Sequence, residues 1–177
     1  IPESEASFMD DTMLLIRKRF KRFCAGLFFA YFSMLLYMTL FTYNYYVYGK
    51  SFNLIFFGSI KLMAESGDPW LFIRNVVGNV ALFFPFGFFI PALFRRVRPF
   101  HRCALLSLAT SLIIEACQYE FAERIFDVDD ILLNTLGAII GWAAFKLFHH
   151  VFIWAMNRKT ARQKTGGRLP CGHGDME

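Results

Sequence analysis

Four long apolar segments limit what this chain can fold into. They cover about residues 24–48, 75–94, 103–119 and 130–155. A helix needs about 20 mainly apolar residues to cross the hydrocarbon core of a bilayer, and each segment is near that length or longer. Because 56% of the residues are hydrophobic and 23 are phenylalanine, a soluble domain of this size could not bury them all. The sequence predicts an all-α membrane protein, a bundle of four transmembrane helices.

The segments outside the four spans are predicted to be peripheral. Residues 8–23 interleave apolar and basic positions, which is typical of an N-terminal amphipathic helix on an anionic membrane surface. Residues 49–74 combine glycine and proline with apolar positions, which favours a short extracytoplasmic segment at the membrane interface. We predict one transmembrane domain over residues 8–156. Residues 1–7 are predicted to be a disordered tail or an expression tag, and residues 157–177 a disordered cytoplasmic tail.

The distribution of charge predicts the orientation. Residues 17–22 hold five Lys and Arg, residues 95–102 hold four Arg and no acid, and residues 115–130 hold six acids and one Arg. Cytoplasmic connections are enriched in Lys and Arg, so both termini are predicted to be cytoplasmic and the acidic connection extracytoplasmic. Because the basic residues flank apolar segments, the net charge of +5 indicates membrane topology, and no nucleic-acid partner is predicted.

Polar residues inside the spans are the candidates for function. Glu115 and Gln118 are three residues apart, and Asp130 and Asn134 are four apart, so each pair shares one helix face. Such groups cost several kcal/mol in a bilayer unless they are paired or hydrated. They are expected to converge, in one pocket near the outer leaflet, with two amides one turn apart at the start of the second span, Asn75 and Asn79.

Roles can be predicted for this polar cluster. The candidate catalytic residues are its acids: Glu115, Asp127 and Asp130. The candidate substrate-binding residues are its amides and its one cation: Asn75, Asn79, Gln118, Arg124 and Asn134. A divalent cation is a candidate cofactor, and its candidate ligands are Asp127, Asp129 and Asp130. A structural alternative for the amides is helix–helix hydrogen bonding, and for Glu115 an ion pair with Arg124 or Arg74.

Three motifs resemble the VanZ-like family of bacterial membrane proteins, which is named for a teicoplanin-resistance protein. They lie at residues 75–91, 111–118 and 124–141, and the resemblance covers about residues 50–148. This chain has Phe56 where the family usually has proline. The resemblance implies a small polytopic protein of the bacterial cytoplasmic membrane, linked in the named member to low-level resistance to a lipoglycopeptide.

Three functional classes remain open. The first is an enzyme acting at the outer leaflet on a lipid-linked envelope precursor or lipoglycopeptide, with Glu115 as general acid or base. The second is a protein that sequesters such an amphiphile without chemistry. The third is a structural subunit of an envelope assembly, which could form oligomers through Gly137 and Gly141, since this spacing allows close helix approach. In all three classes membrane lipids are partners.

Overall fold

The computed structural model describes residues 3–41, 51–121 and 124–166, and this part of the chain is mostly helical. In chain order the elements are α1 (Glu3–Phe41), β1 (Phe52–Asn53), α2 (Gly58–Glu65), α3 (Pro69–Phe72), a π-helical turn (Ile73–Val77), α4 (Gly78–Leu93), a 3-10 turn (Arg95–Val97), α5 (Phe100–Phe121), β2 (Phe126–Asp127) and α6 (Val128–Gly166). The chain divides into two compact units, Ile1–Phe145 and Lys146–Glu177.

Four of the helical stretches are long and apolar enough to cross a membrane. They are Lys18–Leu40, Pro69–Leu93, Phe100–Phe121 and Val128–Ala155. Only 11–39% of the residues in their most apolar windows are buried within the protein, so most of these surfaces suit contact with lipid. The prediction of an all-α membrane protein with four spans is confirmed. The chain is a multi-pass membrane protein.

The N-terminal region is one continuous helix. α1 begins at Glu3 and runs into the first span, whereas the sequence predicted a disordered tail over 1–7 and a separate amphipathic helix over 8–23. Residues 3–41 contain no proline, and nothing there interrupts the helix. The tyrosine-rich end of the predicted first span, residues 42–48, lies outside the described residues.

The second span begins earlier than the predicted residue 75. The side chain of Asp68 accepts hydrogen bonds from the backbone N–H groups of Trp70 and Leu71, and Pro69 occupies the first turn of α3. This is a favourable N-terminus for a helix. The π-helical turn then joins α3 to α4, so the span runs from Pro69 to Leu93.

The other helices also extend beyond their predicted bounds. α5 covers Phe100–Phe121, where 103–119 was predicted, and α6 continues to Gly166, past the predicted end of the span near 155. Within the C-terminal unit, the guanidinium of Arg158 lies 3.8 Å from the ring centroid of Trp154. This pairing of a cation with an aromatic ring suits a membrane interface. Residues 167–177 lie outside the described part of the chain.

The core of the first unit lies among its spans. Its buried side chains come from α1, α4, α5 and α6, and they are Leu35, Phe83, Phe86, Ile90, Ile114 and Ala138. Aromatic rings of α1 also pack on α4, with the centroids of Phe28 and Phe86 6.1 Å apart. The core therefore fixes the spans against one another beside the polar residues of the site.

Glycines bring α4 and α6 into backbone contact. A Cβ atom on Gly137 would lie 2.2 Å from the carbonyl oxygen of Val80, and one on Gly141 would lie 2.0 Å from that of Phe84. On α4, Gly87 is packed equally closely against α6. Gly137 and Gly141 were the candidate contact between copies of the chain in the structural class. Both glycines are buried against α4 of the same chain, so that surface is already occupied.

The segment predicted to lie at the interface is tied to the start of α6. β1 pairs in parallel with β2, with Phe52 opposite Phe126 and Asn53 opposite Asp127. β2 follows α5 and leads directly into α6. The pairing therefore holds the residues before α2 close to the acidic connection between the third and fourth spans.

Candidate functional site

A small polar cavity lies among the four spans. Its volume is about 80 Å³, and side chains from α1, α4, α5 and α6 line it together with one residue of the connection before α6. The lining residues are Met38, Thr39, Asn79, Leu82, Phe83, Ile114, Glu115, Gln118, Arg124, Asp130 and Asn134. Six predicted site residues are therefore brought together: Asn79, Glu115, Gln118, Arg124, Asp130 and Asn134.

Glu115 is the most deeply buried acid of the cavity, with 2% of its surface exposed. Its Oε1 atom accepts a hydrogen bond from the backbone N–H of Asp127 at 2.8 Å. Ser107 and Ser111, which precede Glu115 on the same face of α5, are fully buried. The helix face that Glu115 shares with Gln118 thus points into the protein interior, because only there can its polar groups find partners.

Asp130 contacts both an amide and a cation. Nδ2 of Asn79 donates a hydrogen bond to Oδ1 of Asp130 at 2.5 Å. On the other side, Nη2 of Arg124 lies 3.9 Å from Oδ2, with the two side chains 29% and 19% exposed. The amide contact is close. The ion pair is long and partly open to solvent, so the ion pair contributes little to the stability of the fold.

The other two amides join the helices around the cavity. Nε2 of Gln118 donates to the backbone carbonyl of Thr39 in α1 at 3.0 Å. Nδ2 of Asn134 donates to Oγ of Ser111 in α5 at 3.0 Å. Both amides are more than nine-tenths buried, so these bonds satisfy groups that would otherwise destabilise the bundle.

Asp129 points away from the cavity and caps α2. Its carboxylate accepts hydrogen bonds from the backbone N–H groups of Phe57 at 2.6 Å, Ser59 at 3.0 Å and Ile60 at 3.3 Å. The first N–H groups of a helix have no partner within it. Asp129 supplies that partner from about 70 residues further along the chain, and only 1% of it is exposed.

Asp127 is also engaged outside the cavity. Its Oδ1 accepts hydrogen bonds from Nδ2 of Asn53 at 3.2 Å and from the N–H of Asp129 at 2.9 Å, and its Oδ2 accepts one from the hydroxyl of Ser59. Because N–H and O–H donors occupy both carboxylates, Asp127 and Asp129 do not fit the predicted role of metal ligands. Among the described residues, no group of three His, Cys, Asp or Glu side chains could hold a metal ion.

Asn75 is absent from the cavity lining. Its Nδ2 donates to the carbonyl of Leu71 at 2.8 Å, one turn back along its own segment. The prediction that Asn75 and Asn79 share a face assumed a regular α-helix. Asn75 lies in the π-helical turn at Ile73–Val77 and its amide binds its own segment, whereas the amide of Asn79 donates to Asp130 in the cavity.

Comparison with known proteins identifies the family of this chain. A model of the VanZ/LLP1 family matches residues 28–149, which is more than half of the chain. The chain belongs to the VanZ/LLP1 family. It is also 31% identical over 74 residues to Protein VanZ from Enterococcus faecium, covering 42% of this chain and 45% of that protein. This chain thus spans less than half the length of that curated relative. No solved structure gives a significant match.

The VanZ/LLP1 domain also contains site residues that the sequence did not predict. Met38 and Thr39 bring α1 to the cavity, and the only signal for them was a threonine within an apolar span. Asn53 and Ser59 hold Asp127, but no sequence pattern relates residues so far apart. Every side chain that lines the cavity lies within residues 28–149, the part matched by the family.

Proposed function

We propose that this VanZ-like membrane protein binds, and in the enzymatic case modifies, an amphiphilic cell-envelope molecule or a teicoplanin-type lipoglycopeptide at the outer leaflet. Such an activity would contribute to glycopeptide resistance. The observation that carries the proposal is the cavity where Glu115, Asp130 and three amides meet among four membrane spans. Ionisable and amide groups at such a depth are expensive, and they are typical of binding or transport sites.

The size of the cavity limits what can enter it. A volume of about 80 Å³ has room for roughly two or three water molecules, since one water takes about 30 Å³ of liquid. A whole lipoglycopeptide is far larger. The ligand would therefore place one small polar group among the spans, while its acyl chains lie in the surrounding bilayer.

The proposed orientation follows from charge. The connection between α4 and α5 carries Arg95, Arg96 and Arg98 without an acid, and the cavity lies toward the other ends of these helices, near Asn79 and Glu115. Cytoplasmic connections are the basic ones. We therefore place the cavity toward the extracytoplasmic side of a bacterial cytoplasmic membrane, with both ends of the chain in the cytoplasm.

Two acids could take part in chemistry at this site. Glu115 and Asp130 both line the cavity, so either could give a proton to a bound group or take one from it. Asp127 reaches the site only through its backbone N–H, which positions Glu115. The non-catalytic alternative, a sequestering or structural subunit, is favoured by the number of contacts that hold the polar side chains in place. Glu115, Gln118 and Asn134 each already bind a neighbouring segment.

The test is Glu115→Gln, measured as growth in teicoplanin or as binding of a lipid-linked envelope precursor at matched membrane abundance. The amide oxygen of glutamine can still accept the N–H of Asp127, so the fold is expected to persist. If Glu115 is a general acid or base, turnover should fall by about 10²- to 10⁴-fold. If Glu115 only binds, affinity should fall without a separate catalytic defect.

The matched control is Glu120→Gln, an exposed acid of the same helix that does not line the cavity. It should behave as wild type. Wild-type protection and binding by Glu115→Gln would end both the catalytic and the binding interpretation, and would leave the structural class.

A further inference from the structure

We infer that the cavity accepts the primary ammonium of a zwitterionic head group of the phosphoethanolamine type, with the adjacent phosphate at Arg124. This inference rests on the proposed function and specifies its ligand. It comes from counting which polar atoms of the cavity are already used and which are left for a ligand.

The amide nitrogens of the cavity are engaged within the protein. Nδ2 of Asn79 donates to a carboxylate and Nε2 of Gln118 donates to a backbone carbonyl. Because these partners are oxygen acceptors, reversing either amide would place oxygen against oxygen, so both orientations are fixed. Nδ2 of Asn134 donates to a serine hydroxyl, but a hydroxyl can donate as well as accept, so this partner does not fix the amide and its oxygen is left out of the count. Among the described residues, no donor binds the carbonyl oxygens of Asn79 and Gln118.

Glu115 adds a further acceptor. One of its carboxylate oxygens accepts the N–H of Asp127, and in the part of the chain that the structure describes no donor binds the other. The side chain is 98% buried, as 2% of it is exposed, and it lines the cavity. The space is therefore rich in acceptors and poor in donors, and a carboxylate buried in this way needs a donor or a cation.

A primary ammonium matches this set of atoms. It carries three N–H donors and no acceptor, as in lysine, and its charge complements the two acids of the cavity. Arg124 is the one cation among the described residues that line this cavity with Glu115 and Asp130. An ammonium and the carbon that carries it are about the size of two water molecules and fit a cavity of about 80 Å³. Each N-methyl group would remove a donor and add bulk.

Arg124 explains why the head group should be zwitterionic. It lies outside the spans, in the connection between α5 and α6. It is 29% exposed, and the nearest acid atom among the described residues is 3.9 Å away. A guanidinium placed in this way retains donors for a phosphate. It would repel a lone cation but bind the phosphate beside the ammonium of the same head group.

The experiment compares a methylation series on the whole purified chain in detergent. The probes are phosphatidylethanolamine, its N-methyl and N,N-dimethyl derivatives and phosphatidylcholine with identical acyl chains, and binding is followed by native mass spectrometry. Affinity should fall along the series. Loss of hydrogen bonds to a charged group corresponds to about 10- to 100-fold between the two ends. Methylammonium chloride is the soluble probe without a tail, and it should bind far more weakly than phosphatidylethanolamine.

Two variants connect the preference to the cavity. In Glu115→Gln the four lipids should bind with nearly equal affinity, because the substitution removes the negative charge that the ammonium faces. Glu120→Gln should keep the full preference. A preference that survives Glu115→Gln would place the ammonium elsewhere and overturn the inference.

The remaining outcomes separate the inference from the proposed function. Equal binding of all four lipids would overturn the ammonium inference and leave amphiphile binding intact. Binding of methylammonium as tight as that of the lipid would support the ammonium site but contradict an amphiphilic ligand. If no probe binds, the ammonium inference fails, whereas the proposed function is decided by the growth and precursor-binding measurements on Glu115→Gln.

Discussion

The backbone N–H of Asp127 donates a hydrogen bond to Oε1 of Glu115 across 2.8 Å. Asp127 belongs to β2, and β2 pairs with β1 near the start of α2. The orientation of a carboxylate inside the third span is therefore coupled to a segment that precedes the second span. A site built in this way requires contacts outside the cavity as much as the groups inside it.

The first prediction concerns the cap on α2. Asp129→Ala removes the acceptor of three backbone N–H groups, so α2 should open locally at a loss of about 2–4 kcal/mol. The measurement is the rate of tryptic cleavage after Lys61 in α2. Asp68→Ala is the matched control, because Asp68 caps α3 from an exposed position and should cost only about 1 kcal/mol. Equal cleavage of the two variants would contradict the role given to Asp129.

The second prediction concerns the contact between α4 and α6. Gly137→Ala would place a methyl group 2.2 Å from the carbonyl oxygen of Val80, so the helices must separate, at a loss of about 2 kcal/mol or more. The thermal unfolding midpoint in detergent measures this loss. Gly26→Ala is the control, since a Cβ there meets nothing within 4 Å and alanine favours a helix. A midpoint for Gly137→Ala at or above that of wild type would show that the helices are looser than described.

The third prediction concerns Arg124. If the ion pair with Asp130 were dry, Arg124→Ala would cost about 3–5 kcal/mol. The contact is 3.9 Å long and its side chains are 29% and 19% exposed, so we expect a loss below about 1 kcal/mol. Binding of a phosphate-containing amphiphile should weaken much more than folding. A large drop in the unfolding midpoint would instead assign Arg124 to the fold.

The fourth prediction concerns topology. In a variant without the four native cysteines, Ser66→Cys should react with an impermeant thiol reagent in intact cells. Arg96→Cys should react only after permeabilisation. Both positions are exposed, so the comparison reports the side of the membrane. The reverse pattern would move the cavity to the cytoplasmic side.

The sequence predicted the spans and most of the cavity because both depend on local periodicity. Hydropathy over about 20 residues identifies a span, and the three- and four-residue spacings put Glu115 with Gln118 and Asp130 with Asn134 on shared faces. Asn75 does not line the cavity, because its amide binds the carbonyl of Leu71 in its own segment, and a sequence spacing cannot show where an amide finds its partner.

The role of Asp129 could not be predicted, since its partners are backbone N–H groups about 70 residues away. Backbone donors are the same for every residue except proline, so they leave no trace in the sequence. Asp129 looked like a metal ligand because it lies between two other acids. The sequence alone does not show that α2 lies beside the start of α6, where Asp129 reaches its N–H groups.

The close contact of α4 and α6 also determines which side of the bundle can widen. Where Gly137 and Gly141 meet carbonyl groups of α4, the two helices are in backbone contact and no side chain fits between them. By contrast, α1 is the least enclosed span, with 11% of its apolar window buried, and near the cavity it is held by Gln118 through the carbonyl of Thr39. Spin labels on α1 and α4 would record any ligand-dependent separation. A ligand that enters laterally from the lipid would therefore displace α1, while α4 and α6 stay in contact.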